Sequence, residues 1–156
     1  MIEFDIRPAC AAEATTIRSM IRAERLDPFN VHWENFLVAE ASGRIIGIGP
    51  VKPYPGAREL GSLVVAADQR QTGVGAALIN ALIARENGPL YLFCLAFREP
   101  YYAKFGFRSI TADQLPTSLQ KKYRAGKFFT RLFRQRLIVM GRAAEAQQID
   151  RLATSR

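Results

Sequence analysis

Leu60-Gly61-Ser62-Leu63-Val64-Val65-Ala66-Ala67-Asp68-Gln69-Arg70-Gln71-Thr72-Gly73-Val74-Gly75-Ala76-Ala77-Leu78 is the most informative stretch of this chain. A buried strand ends, Ala66–Thr72 makes a polar turn, and a helix begins at two glycines. Gly73–Glu86 reads as the clearest helix, because Leu78, Ile79, Leu82 and Ile83 form one apolar stripe. The first N–H groups of a helix have no internal partners and sit at the positive end of its dipole. An anion can occupy that position. Gly73 and Gly75 lack Cβ atoms, so a phosphate can approach the backbone closely, and Arg70 adds a permanent positive charge. Taken alone, R-x-x-G-x-G also fits a plain helix start whose glycines serve only the turn. No Lys-Ser or Lys-Thr follows the glycines, which excludes a P-loop kinase signature. The spacing is not G-x-G-x-x-G, so a dinucleotide fold is poorly supported.

Upstream, Ile2–Arg7 alternates apolar and charged residues, as a half-buried strand does. Ala11–Arg25 has helical spacing, with Ala14, Ile17, Met20 and Ile21 on one face, and Asp27-Pro28 ends it. Phe36–Glu40 and Arg44–Lys52 flank the turn Ala41-Ser42-Gly43, which predicts an antiparallel hairpin. Pro53, Pro55 and Gly56 break the pattern, and Arg58–Val65 resumes as a strand. Downstream, Asn87-Gly88-Pro89 stops the long helix. Leu90–Ala96 is a continuous apolar run, suited to a central strand buried on both faces. Glu99-Pro100 opens a short helix over Pro100–Phe105, Gly106 ends it, and Phe107–Ile110 leads into another strand. Leu115-Pro116-Thr117-Ser118 precedes a short basic helix reaching Arg124, and Arg134–Met140 is the last strand. The order predicts a mixed α/β sheet whose longest helix follows a central strand.

A chain of 156 residues is the size of one domain with a real core. With 49% hydrophobic and 23% charged residues, it has globular rather than disordered composition. Residues 1–141 read as a single domain, and 142–156 as a polar, alanine-rich tail, helical or frayed. No apolar run approaches a membrane span, and the opening residues lack a basic region followed by a long apolar stretch, which argues against a signal peptide. Cys10 and Cys94 are too few for a disulfide framework and lack metal-ligand spacing, and His32 is the sole histidine. A zinc site and a Ser-His-Asp triad are therefore unattractive. The default expectation is a reduced cytoplasmic protein with no metal.

Tyr101-Tyr102-Ala103-Lys104-Phe105-Gly106-Phe107 adds a second motif, an aromatic pair followed by Gly-Phe. Together with Arg70-Gln71-Thr72-Gly73-Val74-Gly75 it resembles the Gcn5-related N-acetyltransferases, in their order and at their usual separation. The resemblance covers roughly Ile2 to Met140. It implies an α/β (α+β) fold with a mostly antiparallel mixed sheet of about six to seven strands flanked by helices. It also implies acetyl-CoA as co-substrate, with no metal. The backbone of Leu63, Val64 and Val65 would pair with the pantetheine arm. Arg70 and the amides of Gln71, Thr72, Gly73, Val74, Gly75 and Ala76 would hold the pyrophosphate. Tyr102 would lie near the thioester sulfur, and Glu59 matches a carboxylate that serves some members as general base.

The implied mechanism is direct attack in a ternary complex. Glu59 takes the ammonium proton, directly or through a water, the N–H near Val65 meets the oxyanion, and the Tyr102 hydroxyl assists the departing thiolate. Two bland readings stand beside these roles: Glu59 as a surface strand carboxylate and Tyr102 as a packing aromatic. Cys94 reads as a core residue, and His32, beside Trp33, as structural or substrate-lining. The chain departs from the family pattern at Ala67 and Gln69, where many members have proline and an aromatic. Leu95-Ala96-Phe97-Arg98 offers no asparagine ahead of the short helix.

The formal net charge is +8, and from Arg98 to Arg142 there are 11 Lys or Arg against two acids. Such a surface favours an anionic partner. Between Lys121 and Arg136 seven basic residues interleave with Tyr123, Phe128, Phe129 and Phe133. A solvated face with its aromatics turned inward is preferred over an RNA-binding surface there. Asp113-Gln114-Leu115-Pro116, Lys121-Lys122-Tyr123 and Leu137-Ile138-Val139-Met140 bear a weaker similarity to the acetyltransferase domain of N-acetylglutamate synthases. That similarity implies a small amino acid such as glutamate as the amine acceptor. A protein N-terminus or lysine is the alternative acceptor, and a basic RNA-binding module on the same fold is the non-enzyme alternative. A membrane is not expected as a partner, nucleic acid is disfavoured, and a homodimer is compatible with the sheet edges of such a fold.

Overall fold

The computed structural model describes residues 2–27, 29–132 and 134–144, so Phe133 and most of the tail at 142–156 lie outside the described residues. In chain order the elements are β1 (Asp5–Pro8), α1 (Ala14–Ala23), β2 (Phe36–Ala41), β3 (Arg44–Tyr54), β4 (Ala57–Leu60), β5 (Val64–Val65), α2 (Val74–Ala84), β6 (Leu90–Leu95), α3 (Glu99–Ala103), β7 (Arg108–Ile110), α4 (Thr117–Leu132) and β8 (Leu137–Arg142). This is a mixed α/β fold whose strand pairs are antiparallel except for β4 with β6. It has eight strands among the described residues, where six to seven are expected. The extra one arises because the strand expected over Arg58–Val65 breaks at Gly61-Ser62-Leu63, with Ser62 at φ +35°. Packing divides the chain into two compact units, residues up to 52 with 60–85, and residues 53–59 with 86 onward.

In the first unit, β1 pairs with β2, β2 with β3, and β5 with β3, all antiparallel. The core gathers Ala9, Ile17, Ile21, Phe36, Val38, Ile48 and Val64, with Met20, Val31, Trp33 and Ile45 against it. Ile17 and Ile21 are the buried side chains of α1, which is shorter than the expected Ala11–Arg25 because the first residues form a separate 3-10 turn. Helix α2 turns Val74, Leu78, Ile79 and Leu82 inward. It lies unusually close to β3: a Cβ on Gly47 would stand 2.8 Å from Val74 Cγ1, and one on Gly49 would stand 3.0 Å from Leu82 Cδ1. Two strand positions without side chains thus set how deeply α2 seats, and with it where that helix begins.

In the second unit, the two-residue turn Pro55-Gly56, with Gly56 at φ +68°, leads from β3 into β4. Strand β4 runs parallel to β6, with Glu59 in register with Tyr91. Strand β6 pairs with β8 from Leu90↔Arg142 to Leu95↔Leu137, and β8 pairs with β7. The expectation that β6 is buried on both faces is corrected: Leu90, Leu92 and Cys94 are buried, while Tyr91, Phe93 and Leu95 on the other face are half-buried. Helix α4 is also longer than expected. It runs on past Arg124 and Gly126, where a Cβ would stand 3.0 Å from Leu137 Cδ2, so this glycine permits a close approach rather than ending the helix. Its buried Leu119 joins Ala57, Leu115 and Val139, with Tyr54, Tyr91, Phe93, Ile110 and Tyr123 packed around them.

Candidate active site

The turn before α2 leaves main-chain donors without partners. Gly73 takes φ +91° and Gln71 φ +63°, and the Thr72 hydroxyl donates to Gln69 O at 2.5 Å, closing the turn. The first bond of the helix runs from Ala77 N–H to Gly73 O at 3.0 Å, and no side chain caps this end. Among the described residues the N–H groups of Val74, Gly75 and Ala76 therefore lack an acceptor. A Cβ on Gly73 would meet nothing within 4 Å, so the space beside this glycine is open. Arg70 stands at the same corner, its Nη2 2.5 Å from Glu24 Oε1 and its Nε 3.4 Å from Val65 O. Convergent N–H groups, a helix dipole and a guanidinium suit a diphosphate.

Strand β5 supplies an edge. It pairs only with β3 among the described residues, through Gly47↔Val65 and Ile48↔Val64. Ala66 N–H donates to Ile46 O at 2.8 Å, so the alternation of an antiparallel ladder turns the N–H and C=O of Val65 to the opposite edge. There the Val65 carbonyl accepts from Arg70. An extended ligand bearing amides could lie along that edge as a strand does. Leu63, also expected to pair, sits just outside the ladder, in the irregular segment.

Glu59 is not a surface carboxylate. It is 4% exposed and ion-paired: Lys122 Nζ donates to Oε1 at 3.0 Å and to Oε2 at 2.8 Å. The same Nζ lies 3.3 Å from Tyr54 Oη, 5.7 Å from the Tyr54 ring centroid and 5.8 Å from that of Phe93. Burial alone would lower the Lys122 ammonium. The charge and hydrogen bonds of Glu59 outweigh it and hold Lys122 above the ordinary lysine range. Burial, then the charge of Glu59, raises Tyr54. Tyr54 also lines a cavity of about 320 Å3 with Pro53, Ala57, Arg58, Pro89 and Tyr91. Neighbouring Arg58 is turned away into a two-pronged pair with Glu86, at 2.7 and 2.8 Å.

Tyr102, on α3, packs edge-on against Tyr101 and Phe107, with centroids 5.4 and 6.3 Å away. Burial pushes its hydroxyl up to about 12, helped by Cys94 and Tyr101, so it is a protonated donor at neutral pH. Cys94 is buried and its thiol is pushed up to about 11, chiefly by burial, which makes it a poor nucleophile. His32 is exposed, with Nε2 3.1 Å from Asn30 Oδ1. No cluster of His, Cys, Asp and Glu among the described residues could hold a metal ion. No helix among them is long and apolar enough to cross a membrane. On α4, Lys121, Arg124, Lys127 and Arg131 are exposed, as is Phe128, while Tyr123 turns inward onto Phe93 with centroids 6.1 Å apart. Phe133 and the Phe129 side chain lie outside the described residues.

Residues 32–109, which include the strand, the turn before α2 and α3, match the family described as the acetyltransferase (GNAT) domain. The chain belongs to the GNAT acetyltransferase family. A curated amino-acid acetyltransferase from Ralstonia nicotianae is 39% identical over 94 residues, covering 57% of this chain and 21% of that protein. Among solved structures, N-acetylglutamate synthase from Neisseria gonorrhoeae, complexed with coenzyme A and N-acetyl-glutamate, superposes with TM-score 0.77 at 19% identity. That match covers 93% of this chain and 36% of the synthase. Rv2747 from Mycobacterium tuberculosis, in complex with CoA and NLQ, superposes with TM-score 0.71 at 14% identity, covering 89% of this chain and 98% of that one. The chain thus spans about a fifth of the curated relative and about a third of the synthase. At such identities the solved structures establish a shared fold.

Within this GNAT chain, the first unit holds Leu63, Val64, Val65 and Arg70 through Ala76, and the second holds Glu59 and Tyr102. Lys122 and Tyr54, which the sequence reading passed over, complete the surroundings of Glu59. A signal for Lys122 exists: Leu119, Lys122, Tyr123 and Gly126 fall at i, i+3, i+4 and i+7, one helical stripe. A lysine inside an otherwise inward stripe marks a buried partner.

Proposed function

We propose that residues 1–141 form one acetyl-CoA-dependent N-acetyltransferase domain whose acceptor is the amine of a small amino acid. The observation that carries this reading is the uncapped start of α2, with Gly73 left-handed and Arg70 beside it. Arg70 and the amides from Gln71 to Ala76 bind the pyrophosphate, and the outer edge at Val65 aligns the pantetheine arm beside Leu63 and Val64. The relative named amino-acid acetyltransferase and the synthase bound to N-acetyl-glutamate support an amino-acid acceptor, glutamate first among them.

In the reaction, Glu59 accepts a proton from the acceptor's ammonium, directly or through a water, leaving a neutral amine. The amine nitrogen bonds to the thioester carbonyl carbon, and the Val65 N–H stabilises the oxyanion. As the C–S bond breaks, Tyr102 donates its proton to the departing sulfur and regains one from the nitrogen, which sheds its second proton on becoming the amide, so the amide product and free thiol result. No covalent intermediate on the protein is required, and the rate gain comes largely from holding both substrates together.

The test is an amine panel, with glutamate included, assayed for free thiol release from acetyl-CoA alongside thermal unfolding with the coenzyme. A stabilising shift and amine-dependent thiol release are expected. No shift and no release above the amine-free rate would reject the reading, and salt-dependent RNA binding in its place would point to the exposed basic side of α4.

A further inference from the structure

We propose that Lys122 is a positioning residue for Glu59, holding that buried carboxylate in one orientation for proton transfer. The inference rests on Glu59 being the base, and adds the group that makes a base workable there.

A carboxylate removed from water and left alone takes up a proton, because burial penalises the charged form. Glu59 is 4% exposed, in β4 between Arg58 and the buried Leu60. Lys122 Nζ contacts both oxygens, at 3.0 and 2.8 Å, which fixes the plane of the carboxylate. A carboxylate offers about four lone-pair sites.

Lys122 is itself held. Tyr54 Oη lies 3.3 Å from Nζ, and the Tyr54 and Phe93 rings flank the ammonium at 5.7 and 5.8 Å. The backbone behind it is anchored by Leu119, which is fully buried one turn earlier. The charged or titratable groups meeting Glu59 are Lys122 from α4 and Tyr54 from β3, with Tyr91 its register partner on β6. Arg58 is spent on Glu86. Stability alone is a weak reason for such an arrangement, since a buried ion pair is often no better than an apolar pair of similar volume. A carboxylate held in a fixed orientation is what a general base requires.

The experiment compares wild type, Lys122→Met, Tyr54→Phe and Glu59→Gln. Each is assayed over a pH series with saturating acetyl-CoA and the best amine of the panel, and the acetyl-CoA thermal shift reports folding. Lys122→Met is expected to keep the thermal shift, lose about tenfold or more in kcat, and change amine KM little. Its acid-side inflection should move, because the cation that faces both oxygens of the carboxylate is gone. Should Lys122→Met not fold, Tyr54→Phe keeps the ring, removes only the hydroxyl contact, and should move the inflection in the same direction by less. An inflection that stays in place in the folded variant overturns the proposal, whatever happens to the rate. Glu59→Gln with wild-type rate and profile removes the base itself, and the proposal with it. An inactive Glu59→Gln beside an unmoved inflection in Lys122→Met removes only the role of Lys122.

Discussion

Gly47 on β3 faces Val74 at the first turn of α2 so closely that a Cβ on the glycine would stand 2.8 Å from Val74 Cγ1. Leu78 Cδ1 would be 2.9 Å from the same atom, and both side chains are fully buried. Val74 is β-branched and stiff at χ1, so the strain falls on α2. Gly47→Ala should therefore destabilise the protein by about 1–3 kcal/mol, the usual cost of overpacking. Because the displaced element is the helix whose first amides are proposed to bind the pyrophosphate, acetyl-CoA should also bind more weakly. Chemical denaturation and coenzyme titration check the two effects, and unchanged values for both would show that the contact is not limiting.

Gly73 presents the opposite case. A Cβ there meets open space, yet φ is +91°, where an L residue is strained. Gly73→Ala should cost about 1–2 kcal/mol through the backbone alone. Relief of that strain would reshape the turn and weaken acetyl-CoA by about tenfold. Gly73→Asn is the control, since asparagine tolerates the left-handed region better. It should fall between glycine and alanine in both stability and coenzyme affinity. Equal stability and affinity in all three proteins would mean that the left-handed conformation does not matter to the site.

The uncapped helix start is legible in the sequence because it needs no particular side chain: a polar turn and two glycines ahead of an apolar stripe suffice to mark it. The apolar stripe of α2 was legible for a similar reason, since Leu78, Ile79 and Leu82 are buried as their spacing requires. The break after Leu60 was not legible. It depends on Ser62 adopting φ +35°, a conformation that serine does not advertise. The ion pair at Glu59 was hidden by a wrong helix end. With α4 expected to stop near Arg124, Lys122 belonged to a basic, solvated face. Once the helix runs through Gly126, the same lysine lies on the inward stripe, reaching a carboxylate 63 positions away.

Tyr102 carries a prediction about pH as well as rate. Its hydroxyl is pushed up to about 12 from the ordinary 10.0, mainly by burial, so the proton-donating form persists well into alkaline conditions. Tyr102→Phe keeps the packing against Tyr101 and Phe107, and should lower kcat while leaving acetyl-CoA affinity close to wild type. In the wild type, no loss of kcat from ionisation of this tyrosine should appear around 10. A downward inflection there that vanishes in Tyr102→Phe would place the hydroxyl in a wetter setting than its burial indicates. Unchanged turnover in the variant would remove its acid role.

Arg7 ties the start of the chain to the sheet through Glu13 and Glu40, with Nη2 2.6 Å from Glu13 Oε1. The hydrogen bond from Arg7 is the main cause that lowers the Glu13 carboxyl from 4.5 to about 2, and a further bond from the Cys10 N–H acts in the same direction. A depressed folded value means that the unfolded chain binds the proton more readily. The stabilisation from Glu13 is therefore fully present above 4.5 and is lost as pH falls toward 2. Glu13→Gln should lower the melting temperature at neutral pH, where the carboxylate is ionised in both states. The gap between the two proteins should narrow below 4.5 and close near 2. Thermal unfolding over a pH series reads this directly, and a gap that stays constant through the acid range would mean that Glu13 contributes by packing rather than by charge.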